Sequence, residues 1–126
     1  MCWINLFIQQ FSSKNGKIGS MFSVIVPVFD EEESVLHFYD ELKKYLSTLS
    51  KESEIIFIDD GSQDKTLSLI KDLGKKDNSV RVFSFRRNHG KAEALTFGFQ
   101  KAKGDLILTL DADLQDKPSE IKKLVE

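Results

Sequence analysis

Short runs of consecutive apolar residues alternate with amphipathic stretches along this chain from Phe22 onward. The run "FSVIVPV" is continuous and rich in β-branched residues, the pattern of a strand buried on both faces. Behind it, Val35, Phe38, Tyr39, Leu42, Tyr45, Leu46 and Leu49 recur at three-to-four spacing and predict a helix. Asp30 with Glu33 three residues on reads as its capping box. "EIIFIDD" at 54–60 predicts a second strand. "GSQDKT" at 61–66 predicts a turn with Ser62 and Asp64 as candidate caps, followed by a short helix through Leu67, Leu69, Ile70 and Leu73 that stops at Gly74. "VRVFSF" at 80–85 is a third strand, and "RRNHG" at 86–90 a polar loop. "KAEALTFGFQKAK" is a helix with Gly104 as its closing C′ residue, and "DLILTL" a fourth strand. Pro118 fits the first turn of a further helix.

Four strand-helix units in succession predict an α/β fold. The expected form is a mostly parallel, Rossmann-like sheet with helices on both faces, because parallel neighbours need crossover connections. The 126 residues, 40% of them hydrophobic, suit one domain. Residues 1–21 read as a poorly ordered or non-native extension preceding it and residues 22–126 as the domain. The opening "MCWINLFIQQF" is apolar but too short to span a bilayer, which takes about 20 such residues. It also lacks the basic start and cleavage site of a signal peptide. The single cysteine, Cys2, rules out an intrachain disulfide and suits a reducing compartment. A net charge of −2 gives no sign of a broad nucleic-acid-binding surface, so any phosphate ligand has to be met by a local basic cluster or a cation.

In parallel sheets ligands bind outside the carboxyl ends of the strands. Those ends carry "PVFDEEE", "DDGSQD", "RRNHGK" and "DADLQD". Crowded carboxylates repel one another, by about 4 kcal/mol per pair at 4 Å for an effective dielectric near 20, and a hard divalent cation relieves that repulsion. Extended-chain alternation sets Asp111 and Asp113 on one side with Gln115 two further along, an oxygen set of the kind Mg²⁺ or Mn²⁺ accepts. Since Mg²⁺ prefers a few carboxylates plus substrate phosphates, the implied partner is a diphosphate. Each motif also has a plainer reading. Asp111 and Asp113 can cap the next turn; Asp59, Asp60 and Gly61 can end a strand; Glu31 can start a helix. Arg86, Arg87 and Lys91 are either a solvated loop or phosphate-neutralising groups near a helix N-terminus. His89 receives no role.

The strings "SVIVPVFDEEESV", "EIIFIDDGSQDKT", "RRNHGKAEALTFGFQKAKGD" and "LTLDADLQDKPSEI" resemble, in order and spacing, the nucleotide-sugar half of glycosyltransferase family 2. They are most similar to the dolichyl-phosphate mannose or glucose synthases and their undecaprenyl-phosphate relatives. The resemblance runs from about Ser23 to Glu120 and implies a glycosyltransferase A-type fold. It also implies metal-dependent, inverting transfer from a UDP- or GDP-linked sugar to a polyprenyl phosphate at the cytoplasmic face of a membrane. Pro27, Phe29, Glu31, Ile58 and Asp60 would line the base and ribose pocket, with Asp60 accepting a hydrogen bond from a ring N–H. Asp111, Ala112, Asp113 and Gln115 would sit at the diphosphate, with Asp111, Asp113 and Gln115 as candidate ligands of Mg²⁺ or Mn²⁺; Lys91, from the reading of its loop, is a further candidate for substrate binding. Phe29 stands where tyrosine is frequent and Asp30 where asparagine is. The acceptor part, and any general base, is expected beyond residue 126. Two other readings stand beside this one: a fragment that binds donor without transferring, and a receiver-type phosphoacceptor module, whose lysine pattern the sequence lacks.

Overall fold

The computed structural model describes residues 5–8, 21–49 and 51–112. In these residues the chain runs β1 (Asn5–Ile8), β2 (Met21–Val28), α1 (Val35–Leu46), β3 (Glu52–Asp59), α2 (Thr66–Lys76), β4 (Val80–Ser84), α3 (Lys91–Lys101) and β5 (Leu106–Thr109). The sheet order is β1-β5-β2-β3-β4. The four apolar runs read as strands pair in parallel. The four residues Asn5–Ile8, assigned from the sequence to an extension, add a fifth strand antiparallel to β5. β5 thereby has a hydrogen-bonded neighbour on each side, which leaves fewer unpaired backbone groups on that side of the sheet.

Alternation along each strand divides the core. Phe22, Val24, Val26, Val28, Ile55, Phe57, Leu108 and Leu110 pack with Val35, Phe38, Leu42, Leu46 and Ile70 of α1 and α2. Ile25, Ile56, Ile58 and Ile107 pack on the opposite face with Ala94 and Leu95 of α3. Both faces are covered, as the unbroken apolar runs require. Gly98 lets α3 lie close to the sheet, since a Cβ there would come within 2.5 Å of Ile25 Cγ2 and 2.8 Å of Ile58 Cδ1. Pro27 is tolerated in a central strand because β5 pairs with β2 only over Phe22–Ile25, so its missing N–H falls beyond that ladder.

Three local expectations are corrected. α1 starts at Val35 with Ser34 as its N-cap residue, not at an Asp30–Glu33 capping box. Asp30 instead has φ +50° and its carboxylate accepts the backbone N–H groups of Gln63 (2.9 Å) and Asp64 (3.4 Å). Gly74 does not stop α2, which continues to Lys76. It faces β4 at a point where a Cβ would sit 3.4 Å from Val82 Cγ2. Gly104 is not a left-handed C′ residue; α3 ends at Lys101, and a Cβ on Gly104 would meet the Phe22 backbone at 2.8 Å. The helix expected after Pro118 lies outside the described residues.

The end of the sheet away from the strand carboxyl ends is tied by Glu54, a buried carboxylate. It accepts from Ser23 Oγ (2.6 Å), the Lys103 N–H (2.7 Å) and Arg81 (2.9 Å). Three donors from different segments converge on it, so the anchorage is structural and leaves the opposite end to carry chemistry.

Candidate functional site at the strand carboxyl ends

The chain leaves β2 for β3 and β4 on one side, then returns to β5 on the other side of β2. The order of strands therefore reverses between β2 and β5, and a crevice at such a reversal is the usual ligand site of a parallel sheet. Continuing the β2–β5 register two residues past Ile25–Thr109 sets Pro27 abreast of Asp111, and Pro27 pairs directly with Ile58. Pro27, Ile58, Asp60 and Asp111 share the alternation phase of Ile25, Ile56 and Ile107, which face α3. Ala112 has the opposite phase: it is buried with α1 in the larger core. The order Asp-Ala-Asp thus has a local reason, a small buried residue between two polar ones.

Asp60 is 4% exposed. Its carboxylate accepts hydrogen bonds from the backbone N–H of His89 (2.7 Å) and of Gly90 (3.0 Å) and from Asn88 Nδ2 (3.2 Å). It therefore fixes the loop that delivers α3. Gly61 makes this approach possible. Its φ is +77°, and a Cβ would lie 2.4 Å from the carbonyl carbon of Arg87 and 2.5 Å from the Asn88 nitrogen, so a glycine is required for both conformation and space. Asp59, beside it, is buried with the other core face; its Oδ2 takes the Ser62 N–H at 3.1 Å. Its Oδ1 has no partner among the described residues.

Lys91, the first residue of α3, reaches across to β5. Its Nζ lies 2.7 Å from both Oδ1 and Oδ2 of Asp111. Arg86 and Arg87 are exposed in the preceding loop. On the other flank Ser34 Oγ lies 2.9 Å from the Ala112 carbonyl and 3.2 Å from Glu31 Oε2. The β2–α1 loop is pinned in turn: the Asp30 N–H donates to Ser62 Oγ (2.9 Å) and the Glu31 N–H to Thr66 Oγ1 (2.8 Å). Asp64, which also accepts the Thr66 N–H, has its carboxyl held below the usual range: burial would raise it, and the bonds from Thr66 and Glu32 outweigh that. Phe29 is 44% exposed on this rim.

Of the residues singled out from the sequence, Pro27, Glu31, Ile58, Asp60, Lys91, Asp111 and Ala112 meet at this edge, with Phe29 presenting its ring to solvent there. Asp113 and Gln115 lie outside the described residues. Sequence reasoning missed three contributors: Ser34, Asn88 and the backbone of His89 and Gly90. The signal for the last two was the glycine after "RRNH", a position with φ +97° that opens α3. A separate open groove of about 400 Å³ runs along α3 between Phe85, His89, Glu93, Thr96, Phe97 and Gln100. It contains none of the residues predicted from the sequence.

No group of three His, Cys, Asp or Glu side chains is placed to hold a metal among the described residues. Asp111 does offer hard carboxylate oxygens at the crevice, the donor type that Mg²⁺ and Mn²⁺ take alongside phosphate oxygens. The donor that the structure places therefore fits such an ion.

A mostly parallel sheet covered on both faces, with acidic and basic loops gathered at its switch point, is a Rossmann-like α/β fold. Residues 23–126 match the model of the family described as glycosyl transferase family 2, and the chain belongs to that family. It is 41% identical over 104 residues to an undecaprenyl-phosphate 4-deoxy-4-formamido-L-arabinose transferase of Proteus mirabilis, covering 82% of this chain and 32% of that protein. It is 45% identical over 104 residues to a prophage bactoprenol glucosyl transferase homolog of Escherichia coli, covering 82% and 34%. The chain spans about a third of the length of these relatives. Among solved structures, Staphylococcus aureus TarS 1–349 superposes with a TM-score of 0.64 at 26% identity, covering 82% of this chain and 31% of that one. Glucosyl-3-phosphoglycerate synthase from Mycobacterium tuberculosis, in complex with Mn²⁺, UDP and phosphoglyceric acid, gives 0.65 at 26%, covering 85% and 38%. Membership of this family removes the receiver-module reading.

Proposed function

We propose that this chain is the donor-binding part of an inverting glycosyltransferase that takes a sugar from a nucleoside diphosphate and delivers it to a polyprenyl phosphate at a membrane. The observation that carries the donor half is the convergence of Pro27, Ile58, Asp60, Lys91 and Asp111 on one side of the crevice between β2 and β5. The acceptor half is supported by the names of the relatives, which are undecaprenyl-phosphate and bactoprenol sugar transferases.

In this reading the exposed Phe29 ring and Pro27 flank the nucleobase, and Glu31 faces the ribose from the same loop. Asp60 holds the Asn88–Gly90 loop and keeps acceptor capacity on Oδ1 for a ring N–H, because each carboxylate oxygen has two lone-pair sites and Oδ1 receives one bond from that loop. Lys91, with Arg86 and Arg87 nearby in sequence, supplies positive charge for the diphosphate. Ala112 fills the core so that Asp111 faces the crevice, with Asp113 and Gln115 following as the remaining proposed ligands of Mg²⁺ or Mn²⁺. Such an ion, when bound, stabilises the charge that grows on the leaving diphosphate. A phosphate acceptor is already anionic and asks little of a general base. No helix among the described residues is long and apolar enough to cross a membrane, so membrane association would rest on other segments or on the lipid acceptor.

Titration calorimetry with UDP and GDP, each with and without Mn²⁺, tests the reading. One nucleotide should bind at least about tenfold more tightly with metal, a coupling within the usual range, and Asp113→Ala should remove most of the gain. Equal affinity with and without metal would sink it.

A further inference from the structure

Resting on the donor-binding reading above, we propose that Lys91 is a tethered cation that occupies Asp111 until a diphosphate arrives, making divalent-metal binding conditional on nucleotide binding. Its ammonium is 2.7 Å from both oxygens of the carboxylate that the ion would use. An ammonium and a divalent cation repel each other, so the two compete for that carboxylate.

The geometry favours exchange over a permanent bridge. The Lys91 side chain is 55% exposed and that of Asp111 only 23%, so the ammonium can swing out on its flexible stem while the carboxylate stays against the sheet. Lys91 is also the first residue of α3, and the N-terminus of a helix is an unfavourable place for a cation and a favourable one for an anion. In the structure the Asp111 carboxylate supplies that anion. A diphosphate entering the crevice supplies another, which draws Lys91 away and frees Asp111 for the metal. Asp60 keeps the hand-over in register, because its bonds to the His89 and Gly90 N–H groups fix the residues immediately before Lys91. Lys91 is thus a positioning residue for the metal as well as a contact for phosphate. By reciprocity, any factor by which nucleotide tightens metal binding is the factor by which metal tightens nucleotide binding.

The test is calorimetry on the 126-residue chain, on Lys91→Met and on Lys91→Arg, with folding checked by circular dichroism. Each protein is titrated with Mn²⁺ alone, with UDP or GDP alone, and with the nucleotide in the presence of Mn²⁺. The wild-type chain should bind Mn²⁺ weakly alone and about tenfold more tightly with nucleotide, a coupling of ordinary size. Lys91→Met should bind Mn²⁺ alone about tenfold more tightly than wild type and lose most of that coupling, while Lys91→Arg should retain it. If Lys91→Met shows wild-type Mn²⁺ affinity and wild-type coupling, the exchange is overturned and the donor-binding reading survives. If the wild-type chain shows no metal-dependent nucleotide binding, the donor-binding reading falls. The Mn²⁺-only comparison of wild type with Lys91→Met then still decides whether lysine and metal compete for Asp111.

Discussion

The backbone N–H of Gly90 donates a 3.0 Å hydrogen bond to Asp60 Oδ2, joining the end of β3 to the residue that opens α3. With the His89 N–H and Asn88 Nδ2 on the same carboxylate, one buried side chain sets the path of a whole loop. Asp60→Ala would leave three donors without their acceptor. The expected loss is about 2–4 kcal/mol of unfolding free energy, since each buried unsatisfied group costs on the order of 1–3 kcal/mol and the loop can partly relax. Urea unfolding reads this as a lower midpoint at unchanged slope; an unchanged midpoint would show that the carboxylate does not hold the loop.

Gly61 should tolerate no side chain. Alanine there must adopt a left-handed backbone, at about 1–2 kcal/mol, and its Cβ would sit 2.4 Å from the Arg87 carbonyl carbon. Backbone atoms cannot move aside as a side-chain tip can. Gly61→Ala is therefore expected to push the 86–90 loop off β3 and to abolish nucleotide binding even where the protein remains folded. Gly90→Ala, where φ is also positive but nothing lies within 4 Å of the added carbon, should cost only the backbone strain. Calorimetry that finds the two variants equally impaired would contradict the distinction.

Acid stability should depend on Asp77, far from the crevice. Burial acts to raise its carboxyl, but hydrogen bonds from the Tyr39 hydroxyl (2.6 Å) and from Ser79, with Lys43 at 3.0 Å, hold it well below the usual carboxylate range. A depressed folded-state value means the contribution is fully present above the unfolded-chain value, near 3.9, and is lost as pH falls below it toward the folded value. Asp77→Asn should therefore lower the melting temperature at pH 7 and flatten its decline between about pH 4 and pH 2. The Tyr39 hydroxyl, raised by burial and then by Asp77, makes the mirror contribution. That stability is present below the ordinary tyrosine value and disappears only in strong alkali. Parallel pH–stability curves for wild type and Asp77→Asn would refute the assignment.

Much of the fold could be read from the chain because the central strands β2 and β3 carry long apolar runs. Phe22, Val24, Ile25, Val26, Ile55, Ile56, Phe57 and Ile58 are all fully buried, and no polar alternation competes with that signal. What escaped was tertiary. Gly74 and Gly104 look like helix stops, yet one packs inside α2 against Val82 and the other lets a turn touch the Phe22 backbone. A sequence shows that a glycine is present but not which neighbour needs the room. Asp30 and Glu33 match a capping motif, but three-residue spacing is silent about Ser62, Gln63 and Asp64, which reach Asp30 from over 30 positions away. The acidic and basic loops of the rim were legible individually. Their pairings, Asp60 with 88–90 and Asp111 with Lys91, emerge only from the order of strands. Asn5–Ile8 is too short and too featureless a run to announce its partner.

Backbone amide NMR of the chain during addition of UDP or GDP with Mg²⁺ tests the central claim most directly. The account predicts that shift changes gather in Val28–Glu31, Asp60–Ser62, Asn88–Lys91 and Asp111–Ala112, the segments that converge at the β2–β5 crevice, and leave Glu54, Arg81 and Lys103 at the other end of the sheet untouched. Changes centred instead on the α3 groove around Thr96 and Gln100, or spread over both ends of the sheet, would contradict it.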